Sequence, residues 1–340
     1  MIDASEVIAL LLKSLEPSIR YKIRIHVLGQ DRQSSAIRKL RSEIRRSPRV
    51  AFLLKNRDRN GQIKSQRNIY DKWQGAHWIL ATLADIGYPA GDKSLFTARD
   101  QILNYWLSDF FHKEFKAEKK SDAYKFEGVP IMRGRHRRCA SQQGNALYMI
   151  CKLGLFNARC KNLVERLLHW QWPDGGWNCD KDPAADTSSF METLIPLRGL
   201  AIYAKQTADR AAKQAALRAA EIFLARKLFK RRSDGKIINK EFVALHYPLY
   251  WHYDILAGLK AMAELDLLDD PRCNDALDLL ESKRLFDGGW PSESRYYKVS
   301  SKIILNGDYV DWGGTSKKKM NEWVTADALS VLRAAGRLKI

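Results

Sequence analysis

The sequence predicts an all-α protein assembled from repeated helical hairpins. Three observations carry this. Helix start and stop signals recur along the chain, whereas no alternation of apolar and polar residues is framed by hairpin turns. A unit of apolar helix, turn, loop and second helix, often with Asp-Gly at the turn, repeats five times. Finally, 340 residues with 45% hydrophobic and 10% aromatic content can bury a large core. Five hairpins joined by unequal loops close into a ring or stack into a solenoid.

Taken in order, Asp3 offers an N-cap carboxylate with Glu6 at the third helical position, ahead of an apolar stripe through Val7, Leu10, Leu11 and Leu15. Pro17 then limits that helix, because its nitrogen cannot donate to the helical ladder. The first repeat spans 52–61 and resumes at 73–87; the second leads into 139–148 and ends near Gly154. The third joins 163–177 to 189–199, and an Ala-rich helix at 211–228 follows it. The fourth pairs Asp234 and Gly235 with 250–259, and the fifth pairs 287–290 with 323–336. Asp-Gly-Gly-Trp occurs at 174–177 and again at 287–290. Glycine permits the positive φ of a helix-ending turn, Asp binds turn amides and Trp packs over the corner, so both copies read first as structural corners.

Lys and Arg number 58 against 39 Asp and Glu, a net charge of +19, so the exterior carries a strong positive field. The first 70 residues hold 16 basic against 6 acidic side chains, and further basic runs lie at 133–138, 227–232 and 317–319. Residues 1–50 therefore read as a basic helical extension packed on a repeat domain of 51–340. Solvated helix faces and loops account for most such runs; an anionic ligand or a peripheral anionic membrane contact are the functional alternatives. Nucleic acid is not the expected partner, since the aromatics lie in apolar helices away from the basic runs. Five cysteines without paired spacing point to a reducing compartment, and 1–16 fits neither a signal peptide nor a membrane span. A cytoplasmic location is the expectation, and a secreted disulfide scaffold, an integral membrane protein and a disordered tail are excluded. No Walker, dinucleotide-binding, His-Glu-x-x-His or Gly-x-Ser-x-Gly motif is present.

The stretch 171–177, Gln-Trp-Pro-Asp-Gly-Gly-Trp, resembles the Gln-Trp repeat of the triterpene cyclases, and 287–290 is a shorter copy. The resemblance implies an α/α toroid of inner and outer helices, the fold shared with the β-subunits of protein prenyltransferases. It does not bring that superfamily's chemistry with it. Proton-initiated cyclases use Asp-x-Asp-Asp-Thr; if Asp186 and Thr187 match its end, Ala185 stands where the acid should be. Prenyltransferases hold Zn²⁺ with Asp, Cys and a distant His. Here Asp186 is followed by Thr187 and Ser188 where the Cys is needed, and His252 is displaced by one position. Zn²⁺ is thus a secondary expectation with no complete ligand set; Cys179 and Asp180 are adjacent but out of the family order.

Stacking the five second helices on their apolar pairs places Trp78, Asn145, Glu192, Asp254 and Asp327 in one row. One turn earlier come Gln74, Ser141, Ser188, Tyr250 and Trp323, on the same helix face. If these helices line the ring, both rows face its axis. Each carboxylate taken singly reads as an early-helix cap. Taken together, Glu192, Asp254 and Asp327 are candidate acid/base or electrostatic groups, with His252 as a relay or ligand. Trp73, His77, Trp78, Gln142, Asn145, Tyr250, Trp251, Tyr253, Trp323 and Arg138 are then the walls of a polar-aromatic chamber for a small or prenyl-like, anionic molecule. The competing reading is a non-catalytic scaffold whose basic surface docks an acidic partner.

Overall fold

A computed structural model describes residues 2–340. Among the described residues thirteen α-helices account for most of the ordered structure: α1 (Ser5–Leu11), α2 (Pro17–Lys22), α3 (Ser35–Arg45), α4 (Pro48–Leu53), α5 (Ala76–Asp85), α6 (Phe96–Trp106), α7 (Ala140–Lys152), α8 (Cys160–Trp170), α9 (Phe190–Thr207), α10 (Arg210–Leu224), α11 (Ile255–Glu264), α12 (Asn274–Ser282) and α13 (Glu322–Ala334). The strands are short, and the largest sheet has three, Glu114–Lys116, Val129–Met132 and Arg135–His136, inserted between α6 and α7. Among the described residues no helix is long and apolar enough to cross a membrane.

The helices form an α/α toroid. α5, α7, α9, α11 and α13 pack side by side as an inner ring, and α6, α8, α10 and α12 pack outside them. These five inner helices are the five second helices of the sequence repeats. Composition explains the layering: α9 is buried along nearly its whole length, whereas α10 buries an Ala stripe through Ala212, Ala215, Ala216, Ala219 and Ala220. α7 and α9 approach closest, because a Cβ on Gly144 would lie 2.5 Å from Pro196 Cα and one on Gly199 2.5 Å from the Gly144 carbonyl oxygen. From the N-terminal 50 residues, α2 and the π turn Ile23–Val27 pack on α13, and Lys22 reaches both α13 and α5, spanning the gap between the first and last inner helices.

The two Asp-Gly-Gly-Trp corners use one hydrogen-bond scheme. Trp177 Nε1 donates to the Leu167 carbonyl on outer helix α8, and Trp290 Nε1 to the Leu280 carbonyl on α12. The backbone N–H of Trp177 donates to Thr193 Oγ1 on α9, and that of Trp290 to Thr325 Oγ1 on α13. Asp174 accepts from the Ser188 amide and Asp287 from the Met320 amide, each just ahead of the inner helix. Gln171 adds a tie to α10 through the Ala215 carbonyl. At Gly175, φ is +101° and a Cβ would meet the Arg218 carbonyl oxygen at 2.6 Å, so a side chain is excluded there. Each corner thus fixes how deeply an inner helix sits relative to its outer neighbour.

The axis is not one open chamber. Halfway along it only about 40 Å³ remains between Trp78, Asn145, Ile195 and residues 247–250, room for one or two waters. Ion pairs fill the next level. Lys22 Nζ lies 2.9 Å from Asp327 and 3.3 Å from Asp85; Lys260 bonds the same two carboxylates; Tyr247 Oη donates to Asp85 at 2.6 Å. Arg198 and Tyr148 both bond Glu264 alongside. Every inner helix and α2 contribute at least one of these groups, which separates a cavity at the N-terminal ends of the inner helices from one at their C-terminal ends.

Candidate functional site

The N-terminal mouth of the ring is built where the inner helices begin. Cys139 is the N-cap of α7, Ser189 that of α9, Asp254 that of α11 and Asn321 that of α13. Cys179 follows the Trp177 corner, and Glu192 lies in the first turn of α9. The corner brings all three together: the Cys139 and Cys179 thiols and a Glu192 carboxylate oxygen lie within 4.8 Å of one another. Cys179 Sγ is 3.4 Å from Glu192 Oε1, while the Ser141 amide donates to Oε2 at 3.0 Å. Burial raises the pKa of Glu192. The Cys179 thiol is pushed far up by its hydrogen bond with Cys139, then by burial and by the neighbouring Glu192.

The two thiols open on a cavity of about 440 Å³ whose walls include Tyr70, Tyr105, Trp106, Phe110, Phe111 and Tyr124. Gln142 and Arg138 line it too, and Arg138 sits 4.5 Å over the Phe111 ring while Lys181 sits 4.0 Å over that of Tyr124. Behind the wall, Trp106 Nε1 donates to His77 Nδ1 at 3.1 Å. An indole can only donate, so the neutral His77 ring carries its proton on Nε2, and the Asn145 side-chain amide 3.1 Å away accepts it with its oxygen turned toward the ring. Burial lowers the His77 pKa to about 3, which keeps that ring neutral.

An aromatic stack adjoins this cavity. Trp73 lies face to face with Tyr250 at 3.7 Å, Trp78 meets both edge-on, and Tyr70 touches Trp78 and His77. His252 is sandwiched between Trp251 (4.1 Å) and Tyr296 (3.6 Å), and Lys72 sits 4.8 Å over Trp251. Burial, then His246 and Lys72, lower the His252 pKa to about 3.

The structure therefore gathers Arg138 and Gln142 into the cavity wall, sets Glu192 behind its two cysteines, and places His77, Trp78, Asn145, Trp73, Tyr250, Trp251 and His252 behind and beside it. The remaining four candidates lie elsewhere. Asp254 is a buried cap, accepting from the amides of Ala257 and His246 and pairing with His246 Nδ1 at 2.8 Å. Tyr253 packs in the aromatic core with Phe190, Phe223 and Phe242, its hydroxyl donating to the Leu228 carbonyl. Trp323 stacks on Tyr247 at 4.9 Å, and Asp327 belongs to the axial ion pairs. The expected meeting of three carboxylates does not occur, and the reason is depth. Asp254 is itself an N-cap, Glu192 is three residues beyond its cap and Asp327 six beyond its own. Each three-residue step is about 4.5 Å along a helix. The equivalent corner partners Thr193 and Thr325 confirm that Asp327 aligns with Ile195, one turn below Glu192.

Two groupings escaped the sequence reading, which weighed Cys179 only beside Asp180. Cys139 and Cys179 are forty residues apart, with one signal linking them: each sits at the entry to successive inner helices. Glu114, His136 and His169 form a second ligand-type cluster on the outer wall, in which Glu114 bonds both rings. Asp186 is exposed, well suited to solvent and not to proton donation inside a cavity.

No protein-family profile and no curated protein matches the chain. Among solved structures, it is similar to an Arg-to-Ala variant of the type II terpene cyclase MstE from Scytonema, seen with its substrate geranylgeranyl dihydroxybenzoate, at 12% identity and TM-score 0.44, covering 98% of this chain and 96% of that one. The same enzyme without ligand aligns at 13% identity and TM-score 0.43, over 98% and 97% of the two chains. The unsaturated glucuronyl hydrolase of Bacillus sp. GL1 aligns at 15% identity and TM-score 0.43, over 93% and 84%.

Proposed function

We propose that this toroid is a small-molecule enzyme acting at its N-terminal mouth, where Cys139, Cys179 and Glu192 hold a Zn²⁺ ion beside a prenyl-like, anionic substrate. One observation carries the reading: two thiols and a buried carboxylate converge at an aromatic cavity that also holds Arg138 and Lys181. The donor set fits zinc. Bond lengths of about 2.3 Å to sulfur and about 2.0 Å to oxygen give a tetrahedral S···O edge of ~3.5 Å, and Cys179 Sγ stands 3.4 Å from Glu192 Oε1. With three protein ligands, a bound ion would retain a fourth position for water or substrate, as catalytic zinc sites do. Bound there, the ion would supply Lewis acidity and activate a substrate thiol or water.

The protein groups have separable tasks. The Ser141 amide orients Glu192 so that its other oxygen faces the thiols. Tyr70, Tyr105, Trp106 and Phe111 exclude water and accept an apolar chain, and Arg138 and Lys181 attract its anionic end. His77 stays neutral and holds the Trp106 indole in place.

Elemental analysis of protein purified from zinc-supplemented medium should find about one zinc per chain, reduced several-fold in Cys179→Ser and Glu192→Gln. Farnesyl diphosphate should quench the tryptophan fluorescence saturably, and Arg138→Gln should weaken that response about tenfold. Zinc content that is negligible in the parent, or equal in parent and variants, rejects the metal assignment; quenching indifferent to Arg138 rejects the substrate assignment.

A further inference from the structure

The opposite end of the ring carries a second site, independent of the first. There the C-terminal ends of the inner helices surround a cavity of about 680 Å³, a volume suited to a small ligand. Its floor is the ion-paired level, where Asp85, Glu264 and Asp327 are already matched by Lys22, Lys260 and Arg198. Four more cations line the walls: Arg32, Arg41, Lys152 and Arg333. Among the described residues none of these four has a carboxylate within 4 Å, and Arg32 makes only a long contact with Tyr21 Oη, at 3.5 Å. They come from three separate stretches of chain, residues 32–41, the end of α7 and the end of α13, which the fold turns toward one space. The local field is visible at His26, whose pKa falls to about 3 through burial and then through Lys152, Lys22 and Arg32.

We infer that this cavity binds a small soluble molecule bearing two or more phosphate groups. Four unpaired cations balance two phosphates of charge about −2 each, and Arg32, Arg41 and Arg333 offer forked N–H donors that match phosphate oxygens. A structural alternative has the cations serving the partial negative charge of helix C-termini. It applies to Lys152, the last residue of α7, and to Arg333 in the last turn of α13. It does not apply to Arg32 or Arg41, which precede α3 or lie within it and terminate no inner helix.

Calorimetric titration with inorganic tripolyphosphate at physiological ionic strength tests this. The parent should bind one equivalent saturably. Lys152→Gln combined with Arg333→Gln should weaken binding about a hundredfold, tenfold for each charge-assisted contact, with an unchanged melting temperature. Lys317→Gln combined with Lys318→Gln, in an exposed basic run, should bind like the parent. The inference is overturned by absence of saturable binding, by equal weakening in the two double variants, or by a lowered melting temperature without loss of binding. Sedimentation with phosphatidylcholine vesicles containing phosphatidylinositol bisphosphate, in the absence of tripolyphosphate binding, overturns it in favour of a membrane surface. None of these variants touches the cysteine site, so zinc content reports on the N-terminal mouth and tripolyphosphate titration on the opposite end, and failure of one leaves the other standing.

Discussion

Replacing Asp327 with Asn keeps the shape of the axial ion-paired level and removes one of its two shared charges. Asp327 and Lys22 have side chains only 9% and 6% exposed, so solvent screens this pair little. Burial pushes the Asp327 pKa up, but Lys22 and Lys260 more than offset this and hold the carboxyl below its usual range. In Asp327→Asn both ammonium groups would retain Asp85 alone, at 3.3 and 3.4 Å. Breaking a buried pair costs about 3–5 kcal/mol, and the surviving carboxylate places this case near the lower figure, about 3 kcal/mol. An unfolding entropy of about 2.1 cal/mol/K per residue gives about 0.7 kcal/mol/K for a chain of this length, so the melting temperature should fall by about 4 °C. Scanning calorimetry measures this. Adding Lys22→Met should recover part of the loss, because it removes the ammonium left short of charge. Farnesyl diphosphate quenching at the N-terminal mouth should be unchanged. A variant that melts like the parent but has lost that quenching would refute the reasoning and return Asp327 to the reacting groups.

Two further outcomes test the fold. Gly144→Ala should lower the urea midpoint by an amount equivalent to about 2–3 kcal/mol, since its methyl would press on the Pro196 backbone and force α7 from α9; an unchanged midpoint would show that the two helices are not in contact as described. Burial lowers the pKa of His246, but Asp254 outweighs it and the net direction is upward from 6.5. A raised folded value means that the pair's stabilisation is complete below pH 6.5 and is lost as pH rises through the folded value. Stability should therefore decline on the alkaline side of that window, and His246→Gln should flatten that limb of the urea-midpoint profile against pH.

Much of the architecture was legible before any coordinates. The inner helices, the Ala stripe of α10 and the corners at Trp177 and Trp290 all follow from local pattern. The aromatic cluster was legible as a set of residues, and Arg138 and Gln142 do line one cavity, with Glu192 against the cysteines in its wall. Two things were not. Cys139 and Cys179 meet only because successive hairpins lie side by side, and nothing local to either marks the pairing. The single polar row through Asn145, Glu192, Asp254 and Asp327 dissolves into three levels, since its members stand six, three, no and six residues beyond their helix caps.

The sequence by itself determined which segments coil, which face each buries and where the corners fall, because those properties depend on residues a few positions apart. Tertiary structure alone decided which side chains meet across the ring. An apolar stripe repeats every three to four residues, so sliding a helix by one turn preserves the buried face and moves every polar group by about 5.4 Å. Caps and corner hydrogen bonds between distant segments select the depth. That choice places Glu192 beside two thiols at one end and Asp327 between two lysines further down the axis.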